Sequence, residues 1–229
     1  MKSWLTGLGA LLIKELRLEL RGKETVTLLF CNAILASALV GVGTSSAFLD
    51  RTNTLKIFPM LLWTLFLLSA SASAVRAHEQ ELEGRGFEGL LLAGATSPQI
   101  FVSKLLVSTA LFFAHFVVLA CVLAVALDQP APLSVGQLLA AGLGASSALA
   151  AVTVLLSAVA GTSRMRGVIL PLLSLPLLFP VFFCGTEMTA QILIVGHLEP
   201  GAPWPLILLC ADVLYVALGV SLFEFALRD

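Results

Sequence analysis

Six stretches of this chain are apolar enough and long enough to cross a lipid bilayer, and that leaves very few folds open to it. They cover about 26–47, 57–76, 99–127, 135–162, 167–185 and 204–226 of the 229 residues. A helix needs about 20 mostly apolar residues to span the hydrocarbon layer. Lipid offers backbone groups no water to bond with, so each span is expected to be a helix. No alternation of period two argues for a barrel. Charged residues make up only 12% of the chain, against roughly a quarter in ordinary soluble domains. The expected fold class is therefore an all-α polytopic membrane protein, one transmembrane domain over residues 1–229. No basic face or aromatic-basic stripe points to nucleic acid.

Basic residues near the span ends set orientation. With the N-terminus inside, only Arg51 and Lys56 of the 13 Lys and Arg fall outside, so the expected topology is six spans, N-in and C-in. Ahead of the first span, Leu5, Leu8, Leu12 and Leu16 recur at helical spacing, with Lys14, Arg17 and Arg21 on the other side. Residues 4–23 are thus expected to form an amphipathic helix along the inner headgroup layer. The basic residues follow the first apolar stretch instead of preceding it, which is not the order of a cleavable signal peptide. Cys31, Cys121, Cys184 and Cys210 are isolated and read as small buried hydrophobes. Small residues over 69–74 and 142–148 are expected to let helix backbones approach closely.

One strongly polar island interrupts the apolar pattern. Glu79-Gln80-Glu81-Leu82-Glu83-Gly84-Arg85-Gly86-Phe87-Glu88 lies between the second and third spans, followed by Leu90, Leu91 and Leu92. Glycines on either side of Arg85 permit a sharp change of direction. Pro98 then opens the third span, where proline is tolerated in the first helical turn. The segment 78–95 is expected to contain a short helix in the inner interface, its acids exposed as a docking surface for a soluble partner. Just beyond it, Lys104 is placed to snorkel to the inner interface.

Pro171, Pro176 and Pro180 in the fifth span predict a bent or broken helix, and bent helices near the midplane commonly line a translocation path. Residues 186–195 are too short to span and are expected to re-enter from the outer face. Asp212, about eight residues into the sixth span, is the deepest acid, and a carboxylate inside a membrane is a functional candidate by default. The one Gly-Lys pair, Gly22-Lys23, is followed by Glu24, so the chain builds no P-loop. It also has no zinc-protease histidine pair or nucleophile elbow. No intrinsic enzyme activity is expected, and ATP-driven work requires an ATPase on another polypeptide.

The basic elbow, Glu83, Glu88, Leu90-Leu91-Leu92, Pro98 and Lys104 together resemble the second class of ABC exporter permeases, the type V exporter-like group. The run Leu175-Pro176-Leu177-Leu178-Phe179-Pro180-Val181, with Gly185 after it, is similar to that of the haem exporter protein B family, CcmB. The resemblance covers about residues 11–227. Gly84-Arg85-Gly86 departs from the family, which has an acid followed by Gly-Ser there, and 93–96 lengthens the approach to Pro98. The resemblance implies a multi-pass permease subunit of cytochrome c maturation in the bacterial inner membrane. It implies an ATP-binding subunit (CcmA), membrane partners CcmC and CcmD, the haem chaperone CcmE and a second permease copy. ATP is then used by the partner, this chain binds no cofactor of its own, and haem is the substrate, exported or released with its loaded chaperone. Coupling to the ATPase is implied for Glu79, Glu81, Glu83, Gly84, Arg85, Gly86, Glu88, Leu90, Leu91, Pro98 and Lys104. Translocation is implied for Pro171, Pro176, Pro180, Gly185 and Asp212, and His115, mid-span, is a candidate haem contact. Two other readings stay open: a permease for a lipid, polysaccharide or drug, and a structural membrane subunit that conducts nothing.

Overall fold

The computed structural model describes residues 2–22, 24–46, 51–83, 96–129, 134–159, 173–174 and 176–226. Among them are seven helices: α1 (Lys2–Gly22), α2 (Glu24–Ser46), α3 (Arg51–Glu83), α4 (Ser97–Ala126), α5 (Val135–Val159), α6 (Phe179–Ile194) and α7 (Trp204–Ala226). Five are long and apolar enough to cross a membrane, through Val26–Thr44, Asn53–Ser71, Ser97–Ala126, Val135–Ser157 and Trp204–Phe223. The protein is a helical, multi-pass membrane protein. At 1.5 Å per residue, α3 and α4 extend about 50 and 45 Å, well past the roughly 30 Å of a bilayer's hydrocarbon.

The bundle is organised around α5. Of its apolar window 61% is buried, against 17% for α2 and 22% for α7. It touches α3, α4, α6 and α7, and its buried Ala141, Ala145, Ala148, Ala150 and Ala151 let those neighbours close in. Between helices in lipid there is no hydrophobic drive, so association depends on such close packing. Opposite the small residues stand large rings: Trp63 and Phe66 of α3 and Phe116 of α4, with centroids 5.3–5.9 Å apart. Three rings lie directly on glycine backbones. A Cβ added at Gly142 would sit 2.3 Å from the Phe116 ring, one at Gly185 2.4 Å from Trp63, and one at Gly219 2.1 Å from Phe101. The small-residue stretch 142–148 thus packs within the chain.

Of the four cysteines expected to be buried, only Cys184 is, while Cys31, Cys121 and Cys210 are exposed. Two further sequence expectations need correction. The fifth span was expected over 167–185 with a separate re-entrant piece over 186–195, yet α6 runs unbroken across that boundary from Phe179 to Ile194. Thr186 returns its hydroxyl to the Phe182 carbonyl at 2.8 Å, and Thr189 accepts the indole N–H of Trp63 at 2.9 Å. Polar residues that seemed to mark an exit from the membrane are satisfied inside the bundle, so nothing ends the helix there. The second concerns 78–95, expected to contain a separate interfacial helix. Its first part, through Glu83, is the continuation of α3, and 84–95 lies outside the described residues.

Candidate functional site

Three groups of polar side chains are built into this bundle. The first is where α1 meets the start of α4. Thr96 caps α4, its N–H and hydroxyl both reaching Gln99 Oε1, at 2.9 and 3.0 Å. Pro98 occupies the first turn, where its missing N–H costs no hydrogen bond. Gln99 in turn lies against α1, its Nε2 3.1 Å from where a Cβ would stand on Gly7. Two turns along that face of α1, Glu15 is buried. Its Oε2 is 3.3 Å from Lys104 Nζ and its Oε1 3.0 Å from Lys14 Nζ. The side chains of Lys104 and Glu15 are 5% and 7% exposed, whereas Lys14 is 38% exposed. Lys104 therefore does not reach out to the interface. It joins two helices through a desolvated ion pair, of the kind that holds only when geometry and partners are good.

Sequence reasoning missed Glu15, which stands seven residues after Leu8, at the edge of the leucine stripe and away from Lys14, Arg17 and Arg21. The signal was its register: Gly7, Leu11 and Glu15 fall at four-residue intervals on one face. Of the other residues expected at the coupling site, Glu79, Glu81 and Glu83 belong to the last turns of α3. Gly84, Arg85, Gly86, Glu88, Leu90 and Leu91 lie outside the described residues.

The second group is inside the bundle, between α3 and α4. His115 is fully buried, with Nε2 2.6 Å from Ser69 Oγ, and its ring stacks on Phe66 at 6.0 Å. Ser69 Oγ is also 2.6 Å from the Leu65 carbonyl. A hydroxyl has one proton. All three atoms are satisfied when Ser69 donates to Leu65 and accepts from Nε2–H of His115. Nδ1 then has no partner among the described residues. Beside Ser69, a cavity of about 150 Å³ is lined by Asn32 and Ala33 of α2, Leu65 and Leu68 of α3, and Leu119 of α4.

The third group gathers α5, α6 and α7. Pro180 cannot donate to the Pro176 carbonyl, and its ring pushes the preceding turn aside. Helical bonding continues around the break, with Leu178 N–H on the Ser174 carbonyl and Phe182 N–H on the Leu178 carbonyl, both at 2.9 Å. Leu178 itself has φ −87° and ψ 0°, well away from the helical value near −42°. The carbonyl of Leu177 is taken by the hydroxyl of Tyr215 on α7, the chain's single tyrosine. This is the neighbour's help that a broken helix needs in lipid. One turn away on α7, Asp212 faces Ser147 of α5, and its Oδ1 has no hydrogen-bond partner among the described residues. A cavity of about 220 Å³ adjoins it, walled by Gln137 and Gly144 of α5, Met188 of α6 and Leu208 of α7. Gln137 also fixes the connection between α6 and α7 by accepting Leu198 N–H at 2.9 Å.

The structure thus brings Pro176, Pro180 and Asp212 onto one pair of helices, with Tyr215 as the link that sequence reasoning overlooked. Gly185 belongs to the Trp63 contact. Pro171 lies outside the described residues. His115 is apart from this group, between α3 and α4. No group of three or more His, Cys, Asp or Glu gathers for a metal ion among the described residues.

A family model described as CcmB protein matches residues 6–228, so the chain belongs to the CcmB family. Members of that family are membrane permease components of the ABC system for haem export in cytochrome c maturation. No curated protein matches the chain.

Proposed function

We propose that this CcmB-family protein couples ATP hydrolysis in a separate ATP-binding subunit (CcmA) to release of the haem-loaded chaperone CcmE at the bacterial inner membrane. The family match over residues 6–228 is the observation that carries the reading. The chain has no P-loop of its own, as its only Gly-Lys is followed by Glu24, so the ATPase is another polypeptide. The reading keeps six spans, one of them made by α6 together with the helical residues 173–174 and 176–177 before it. N-in, C-in topology then puts the far end of α3, with Glu79, Glu81 and Glu83, in the cytoplasm. Residues 84–95 complete the docking segment, and CcmC, CcmD and a second permease copy complete the assembly.

Closure of the ATPase dimer pushes on this segment, and the force enters the bundle at the start of α4. Lys104 and Glu15 stiffen that point by tying α4 to α1. Release of a carrier is favoured over conduction of haem by His115, whose ring is enclosed and whose Nε2 is engaged by Ser69.

Affinity purification from detergent-solubilised membranes, with mass spectrometry of what co-purifies, tests the reading. Recovery of an ATPase together with cytochrome c maturation proteins is expected, and the Glu83→Ala/Glu88→Ala variant is expected to lose the ATPase. An ATPase accompanied by lipid or sugar enzymes would discard haem. Recovery of no ATPase at all would overturn the coupling.

A further inference from the structure

The break at Pro180 divides α6 from the helical residues before it, and the two sides are held in different ways. The Phe179–Ile194 side is fixed from several directions. Trp63 of α3 donates to Thr189 at 2.9 Å, and the same ring presses on Gly185. Beyond the helix, Ser134 donates to the Gly196 carbonyl at 2.6 Å, and Gln137 takes Leu198 N–H. On the other side of the break, the Tyr215 hydroxyl grips the Leu177 carbonyl and ties that backbone to α7. Tyr215 is buried, and Leu177, Leu173 and Phe179 turn outward, so the hydroxyl reaches the bend from the protein side.

We propose that Tyr215 is the latch of a proline hinge: its bond to Leu177 holds residues 176–177 against α7, and releasing it lets the helical residues before the break swing about Pro180 while the rest of α6 stays fixed. Proline is what makes the latch necessary. With an ordinary residue at 180, a backbone N–H would again face the Pro176 carbonyl, and the ladder itself would hold the segment. A bond that a conformational change can exchange for another partner is the kind of two-state element through which a permease changes shape. The functional meaning rests on the permease reading above. The geometry does not depend on it.

The test measures distances between spin labels in the full-length protein in lipid nanodiscs, with the four native cysteines replaced by alanine. One pair joins Leu173 to Leu222 across the hinge, and a control pair joins Ile194 to Leu206 across the fixed side; all four positions are exposed. Tyr215→Phe removes only the hydroxyl. It is expected to split the Leu173–Leu222 distance into two populations, separated by about a helical turn (~5 Å), and to leave Ile194–Leu206 unchanged. In a Pro180→Ala background the same substitution is expected to have no effect, because the ladder replaces the latch. Unchanged distances in Tyr215→Phe overturn the proposal. Equal broadening of both pairs overturns it too, since Tyr215 would then be ordinary packing. Loss of ATPase recovery in the purification would sink the permease reading while these distances still decided the hinge.

Discussion

Removing one partner from the Glu15–Lys104 pair should destabilise this protein far more than removing both. At 3.3 Å, two unit charges attract by about 5 kcal/mol at an effective dielectric constant of 20. Bringing each charge out of water costs several kcal/mol, so the pair contributes little net stability. Its dissolution is another matter. Lys104→Met leaves the Glu15 carboxylate 7% exposed with only the partly exposed Lys14 beside it, and a loss of about 3 kcal/mol is expected. Glu15→Leu removes the acid from both lysines at once, and its loss should lie nearer 5 kcal/mol. Glu15→Leu/Lys104→Met leaves no buried charge and is expected to return to within about 1.5 kcal/mol of the parent. The assay is denaturation in mixed micelles followed by tryptophan fluorescence. Because the pair is desolvated, the single-variant losses should hardly change between low and high salt, which screens exposed pairs. If the two single losses simply add in the double variant, or both fade in salt, the pair is a surface contact and the argument for a stiffened α1–α4 joint fails.

Two further outcomes follow from the packing. Gly185→Ala forces a methyl to within 2.4 Å of the Trp63 ring and should cost about 1–3 kcal/mol. By contrast, Gly43→Ala meets nothing within 4 Å and should be neutral or stabilising by up to about 1 kcal/mol; thermal unfolding of both variants in detergent checks this. If His115 serves the interior as its bond to Ser69 indicates, His115→Leu should leave the absorption spectrum of a haemin titration unchanged while lowering the unfolding temperature; loss of a haemin band in the variant would make the imidazole a ligand.

The helical class and the family were legible because their signals are local. Apolar runs report the spans directly, and the paired prolines and the Glu-Leu-Pro-Lys series lie within short reach of one another. Pro98 announced the start of α4 for the same reason. What escaped the sequence was every partner supplied from another helix. Thr189 lies in the stretch expected to re-enter, because the indole of Trp63 that satisfies it comes from α3 and is invisible in a hydropathy profile. The burial of Glu15 is created by α4 arriving beside it. Tyr215, the link between the prolines and α7, is one polar atom on an apolar ring and leaves almost no trace in composition.

The ring-on-glycine contacts are also arranged in time. Trp63, Phe101 and Phe116 belong to α3 and α4, and the glycines that receive them, Gly185, Gly219 and Gly142, belong to α6, α7 and α5. A ribosome therefore delivers all three rings before any of their seats. In a nascent soluble protein, such rings would stand in water and invite aggregation. In a bilayer they wait against acyl chains as apolar as themselves, since lipid exerts no hydrophobic push between helices. The early helices can linger in the membrane unclosed, and the late ones complete the bundle by settling their glycines onto surfaces already in place.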